Sequence, residues 1–161
     1  MELKTTITRP ADTTAYTAGD VVGDAAGAAA MVFPVSSRPG GGSTHLIEQA
    51  LLIDGANVAT KGDFDLFLFD ALVVPVADNA AFAPTDTEML SLVGVITFTG
   101  TGSKVGNATA GDGGNCSNQV DCSVPFNAEV PALYGVLVAR NGYIPVSGEV
   151  FKLRLALNPA R

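Results

Sequence analysis

The sequence predicts a mostly β fold: an antiparallel β-sandwich, jelly-roll-like, with at most one short helix and a long Gly-rich loop. Three observations lead there. Hydrophobic residues make up 47% of the chain and charged residues only 16%, too few to line the wet faces of many helices. Eighteen glycines and nine prolines separate the apolar stretches with turn-forming positions. Several stretches alternate with period two, most cleanly Phe151, Leu153, Leu155 and Leu157 against Lys152, Arg154 and Ala156. At 161 residues, one domain spanning 1–161 is the natural reading, with no fixed-period repeat and no compositional break.

Taken in order, Leu3, Thr5 and Ile7 alternate with Lys4, Thr6 and Thr8, which predicts an edge strand ended by Pro10. Together with the small polar residues from Ala11 to Asp20, this makes 1–20 an N-terminal strand and structured loop leading into Val21-Val22. Met31, Phe33 and Val35 share one side of the next extended stretch, where Pro34 argues for an edge. After the breaker Arg38-Pro39-Gly40-Gly41-Gly42, the run Thr44 to Asp54 reads as a strand with His45, Ile47, Gln49, Leu51 and Ile53 on one face. Phe64 to Phe69 is apolar on both faces and therefore central.

Ala71 to Asn79 extends that layer as far as Pro75 permits. Thr85 with Glu88 three residues on forms a capping-box pattern and predicts the short helix. Strands follow at Leu92 to Thr99, Ala132 to Arg140 and Glu149 to Leu157. Residues 100–127, rich in Gly, Asn and Ser, read as one long loop excursion.

Charge narrows the function. A net charge of −7 leaves nine scattered basic residues, whereas phosphate backbones require a clustered cationic surface, so direct nucleic-acid binding is not expected. The first residues lack a cationic stretch followed by an apolar one, and Ala25 to Val35 is too short to span a bilayer. The expectation is a soluble protein made in a cytoplasm, without membrane association. The absence of Trp weakens, without removing, a reading as a glycan-binding β-sandwich module.

No catalytic constellation emerges. His45 is the single histidine, and no Gly-x-Ser-x-Gly elbow accompanies it, so it reads as a strand-end side chain bonded to backbone. Asp63 and Asp65 share a strand face, but glycosidase carboxylates face each other across a cleft, and these read as the solvated start of a buried strand. The expectation is a non-enzyme with no cofactor. Two cysteines and one distant histidine do not make a zinc site. Asp112, Asn115 and Asp121 are weak calcium candidates whose spacing does not match an EF-hand. Cys116 and Cys122, six positions apart, are a candidate disulfide that either closes a surface loop or stays reduced.

Three segments resemble β-rich structural proteins of tailed bacteriophages. They are Thr8-Arg9-Pro10-Ala11-Asp12-Thr13-Thr14-Ala15-Tyr16-Thr17-Ala18-Gly19-Asp20-Val21-Val22, then Leu66-Phe67-Leu68-Phe69-Asp70 with Ala77-Asp78-Asn79-Ala80-Ala81-Phe82, and Leu133-Tyr134-Gly135-Val136-Leu137-Val138. The resemblance implies a head decoration, or capsid cement, protein. Such a protein binds the major capsid protein of the same virion as a homo-trimer, sits on the capsid exterior and is assembled in the host cytoplasm. A phage tail or fibre component is the alternative within the same class. Arg9, Tyr16, Arg38 and Lys104 are the candidate partner contacts. The two-cysteine excursion at 100–127 has no counterpart in that family.

Overall fold

The computed structural model describes residues 1–27, 30–35, 44–56, 61–99, 104–105, 116–127 and 130–159. Two antiparallel sheets face each other. The first has the order β1 (Glu2–Thr8), β10 (Val150–Pro159), β4 (Thr44–Asp54), β8 (Cys116–Asn127) and β7 (Lys104–Val105). The second runs β2 (Val21–Val22), β9 (Ala132–Ala139), β5 (Phe64–Phe69) and β6 (Leu92–Phe98), with β3 (Met31–Pro34) pairing farther along the β9 edge that β2 occupies. The fold is the expected mostly β sandwich with one short helix.

Alternation builds the interior. Leu3 and Ile7 of β1, Phe151, Leu153, Leu155 and Leu157 of β10, and Phe64, Leu66 and Leu68 of β5 all turn inward and are buried. Each such side chain contributes roughly 1.5–3 kcal/mol relative to its exposed state. β5 lies between β9 and β6, as expected of a strand apolar on both faces. β1 and β3 occupy edges, so Pro34 removes no ladder bond from a central strand. Gly94 lets β6 approach β8 closely, since a Cβ there would lie 2.8 Å from a Val124 methyl.

The inward set of β4 differs from the sequence expectation. His45 and Ile47 face the core, but then Ala50, Leu52 and Asp54 do, because the pairing slips at Glu48. One extra residue in a strand exchanges the faces of everything after it. This β-bulge places Asp54 in the interior.

The expected loop at 100–127 also needs correction. Residues 116–127 form β8, paired to β4 along most of its length, and residues 104–105 form β7. Asn118, Val120, Cys122, Val124 and Phe126 turn toward the core, while Gln119, Asp121, Ser123, Pro125 and Asn127 are exposed. The period-two signal is present in the sequence but carried by a polar composition that reads as loop. Pro125 fits because, among the described residues, β7 pairs with 116 and 117 alone and that part of β8 lies at an edge.

Residues 71–79 do not extend the β5 layer. They cross the outer face of the second sheet, where Val73 packs with Val21, Phe69, Val136 and Val138. Helix α1 (Asp86–Met89) begins with the expected capping box: Thr85 Oγ1 accepts from Glu88 N, and Glu88 Oε2 accepts from Thr85 N at 2.7 Å.

Candidate functional site

Where β1, β4 and β9 end and β5 and β10 begin, one end of the sandwich is closed by a buried polar belt. Arg9, directly after β1, is 1% exposed. Its Nε donates to Tyr16 Oη, and its Nη2 donates to Asp78 Oδ2 at 3.0 Å. Tyr16 Oη donates to Asp78 Oδ1 at 2.5 Å, and the Gly23 N–H donates to the same oxygen at 2.8 Å. Only glycine fits at 23, because a Cβ would stand 2.7 Å from the backbone nitrogen of Asp78.

The Tyr16 ring stacks parallel to Tyr143, 6.4 Å between centroids, and backbone bonds join the two residues. Tyr143 Oη donates to Glu149 Oε1 at 2.5 Å, and the Val146 N–H donates to Oε2 at 3.2 Å. Beside Glu149, Asp54 Oδ2 lies 3.0 Å from Lys61 Nζ, with both side chains almost fully enclosed. Burial, then a hydrogen bond with Asp54 and the charge of that carboxylate, push Glu149 up to about 8. Burial likewise raises Tyr16 and Tyr143 far above the ordinary phenol value. The belt thus pairs Arg9 with Asp78 and Lys61 with Asp54, and Glu149, protonated at neutral pH, adds no further buried charge.

This arrangement corrects two of the expected partner contacts. Arg9 and Tyr16 are each 1% exposed and fully engaged inside, so they are structural and not available to a partner. Arg38 lies outside the described residues, as does the side chain of Lys104, whose backbone belongs to β7.

The disulfide expectation is corrected as well. Cys116 and Cys122 lie six positions apart on the one strand β8, roughly 20 Å in extended chain, whereas a bridge needs Cα atoms within about 7 Å. Cys122 is a free thiol whose pKa is raised by burial and by Asp121, which disfavours the reactive thiolate. Of the calcium candidates, Asp112 and Asn115 lie outside the described residues, and Asp121 accepts from Gln49 Nε2 at 3.1 Å on the exposed face of β8. No three His, Cys, Asp or Glu side chains among the described residues gather as metal ligands.

His45, the second residue of β4, is buried and tilted against Phe126 at 5.7 Å between ring centroids, but the expected bond to backbone is not made by its Nδ1, which has no hydrogen-bond partner among the described residues. Asp63 and Asp65 do face outward together. Asp63 Oδ2 accepts from Asn141 Nδ2 at 3.0 Å, while Asp65 accepts from Thr97 Oγ1 at 2.6 Å and forms an ion pair with Arg140, Oδ2 to Nε at 3.2 Å.

Two surface features stand out among the described residues. On the outer face of the second sheet, Ala18, Gly19, Asp65, Phe67, Phe82, Val138, Ala139 and Arg140 line an open depression of about 300 Å³. Elsewhere on the surface, Leu72, Val74 and Leu90 are 63%, 69% and 88% exposed. The segments carrying them run side by side, with Val74 N donating to Glu88 Oε1 at 2.7 Å and Asp70 N to Ser91 O at 3.0 Å. The capped helix therefore holds an apolar ledge in fixed geometry.

The sequence reading missed Asp54, Lys61, Asp78, Tyr143 and Glu149 as partners in one network. One signal was present: Glu149 shares the parity of Phe151, Leu153 and Leu155, so it had to turn inward. No family model matches the chain, and no curated protein matches it.

Proposed function

We propose that this chain is a structural, non-enzymatic virion protein that binds the outer surface of a tailed-phage capsid and reinforces its lattice. One observation carries the reading beyond the sequence resemblance: the three resembling segments, remote in sequence, pack into a single unit. Arg9 and Tyr16 of the first meet Asp78 of the second, Val21 and Val22 pair with Val138 and Leu137 of the third, and Phe69 pairs with Tyr134. The shared residues are thus the ones that tie the N-terminal segment and the 70–82 crossover to the second sheet.

The apolar ledge of Leu72, Val74 and Leu90 supplies a contact surface of the kind that marks protein interaction sites. A homo-trimer engaging several copies of the major capsid protein gains avidity, so that each contact need only be weak. The test is to add purified chain to undecorated capsids. Stoichiometric binding and greater resistance of the particles to heat are expected, with loss of binding in a Leu72→Asp/Leu90→Asp variant that still folds. No binding by the wild-type chain overturns the proposal, and a labelled chain found on the tail of intact virions replaces it with a tail or fibre role.

A further inference from the structure

We propose that the open depression on the outer face of the second sheet is a carbohydrate site that takes one neutral pyranose ring against Phe67 and Phe82, with ring hydroxyls on Asp65 and Arg140. The site does not depend on the capsid reading.

The outer face of the second sheet changes character along β5. At its Phe69 end the crossing segment seals it with Val73. Toward Asp65 the cover stops, leaving Phe67 and Phe82 half-buried, their ring centroids 5.0 Å apart and their planes inclined by 57°. Together with Val138 and Ala139 they form an apolar floor. At about 300 Å³ the depression is at the small end of ligand sites, matching a single ring rather than a cofactor.

Its walls are fixed. Gly19 N donates to Ala139 O, Ala139 N to Asp20 O and Phe82 N to Gly19 O, each at 2.8 Å, and Arg140 N donates to Asp63 O at 2.9 Å. Binding therefore need not order a loop, which keeps its entropic cost low.

The polar edge decides the ligand class. Asp65 uses one contact per oxygen, to Thr97 and Arg140, and a carboxylate has further lone pairs to offer. Among the described residues Arg140 is paired through Nε, its side chain is 45% exposed, and it lines the depression, where its terminal nitrogens serve as donors. A fixed acceptor beside a fixed donor fork matches adjacent hydroxyls, each of which donates and accepts.

Charge argues against an ionic ligand. The charged residues lining the depression, Asp65 and Arg140, already pair with each other, and the protein carries a net charge of −7, so an anion finds no unpaired cation on that lining. A cation finds Asp65 already paired with Arg140, and Asp20 occupied by Thr17, whose backbone N–H and hydroxyl both donate to it. A neutral ring with one C–H face for the phenyl groups and one hydroxyl edge meets neither obstacle.

The test is amide NMR of the isolated chain titrated with the methyl pyranosides of glucose, galactose, mannose and N-acetylglucosamine, and with N-acetylneuraminate as an anionic probe. At least one neutral pyranoside is expected to give saturable shifts confined to Gly19, Phe67, Phe82 and Val138 to Arg140, with affinity about tenfold lower in Arg140→Gln and in Phe82→Ala. Retained shift dispersion elsewhere shows that both variants fold. No localised shifts with any of the four neutral sugars overturns the proposal, as does binding unchanged in both variants or stronger binding of N-acetylneuraminate. Capsids play no part in this experiment, so it fails or succeeds independently of the lattice-binding test.

Discussion

The two parts of the interior are held by different physics. Between the sheets, Leu66, Leu137, Phe33 and Phe151 are wholly enclosed by other apolar side chains. At the end near Phe64, the closure is instead ionic and hydrogen-bonded, through Arg9, Tyr16, Asp78, Tyr143, Glu149, Asp54 and Lys61. Apolar packing is non-directional and loses stability in proportion to the atoms removed. A buried polar group gains little net stability when paired but costs heavily once its partner is gone. The belt therefore fixes how the N-terminal loop and the 70–82 crossover attach, while the apolar core supplies most of the drive to fold.

The sharpest way to break that comparison is Asp78→Ala. It leaves the buried Arg9 guanidinium with only the longer 3.4 Å pair to the half-exposed Asp12 and the Tyr16 hydroxyl proton without its acceptor, with an expected loss of about 3 kcal/mol by denaturant unfolding. The double replacement Arg9→Met/Asp78→Leu removes both charges and is expected to cost less than Asp78→Ala alone, a non-additivity that a double-mutant cycle measures. If the single change costs no more than the double, the belt is not acting as a charge-paired unit.

Leu66→Ala provides the apolar counterpart, with an expected loss of about 3 kcal/mol from lost burial and a residual cavity. Its effect should be the same across pH, because Leu66 is fully buried within the apolar cluster between the sheets.

A titration separates the two regions by pH. Glu149 is raised from its ordinary 4.5 to about 8, so the folded protein holds a proton that the unfolded chain has released. The stability contributed by that group is complete below about pH 4.5, falls as pH rises through the interval up to about 8, and is level above it. Ionisation there sets Glu149 against Asp54, whose own ion pair is with Lys61. Unfolding measured from about pH 5 to about pH 9 should show this decline, and Glu149→Gln, which keeps a neutral polar side chain, should flatten it. An equal slope in wild type and variant would assign the decline to other groups.

Much of the fold was legible because its signals are local. The alternation of Phe151 to Leu157, the apolar faces of β5, the Pro34 edge strand and the Thr85–Glu88 capping box each depend on residues within a few positions of one another. β8 was hidden because its alternation, Val120, Cys122, Val124 and Phe126, sits within a Gly- and Asn-rich composition that argues for a loop. The candidate sites fared worse. Arg9 and Tyr16 look like exposed contact residues in a polar loop, and nothing nearby in sequence indicates that Asp78 will enclose them.

By itself, then, the sequence determined the sandwich, since periodicity, turn residues and caps act over a few residues and each strand carries its own inward face. It also determined the net charge of −7. Only the tertiary structure decided the polar belt and the depression over Phe67, because both depend on which strand ends meet. A one-residue bulge at Glu48 turns Asp54 inward, and the backbone bonds of Gly19, Phe82 and Ala139 bring three distant segments around one surface. Charge pairing and ligand shape are properties of such meetings in space, and no local pattern encodes them.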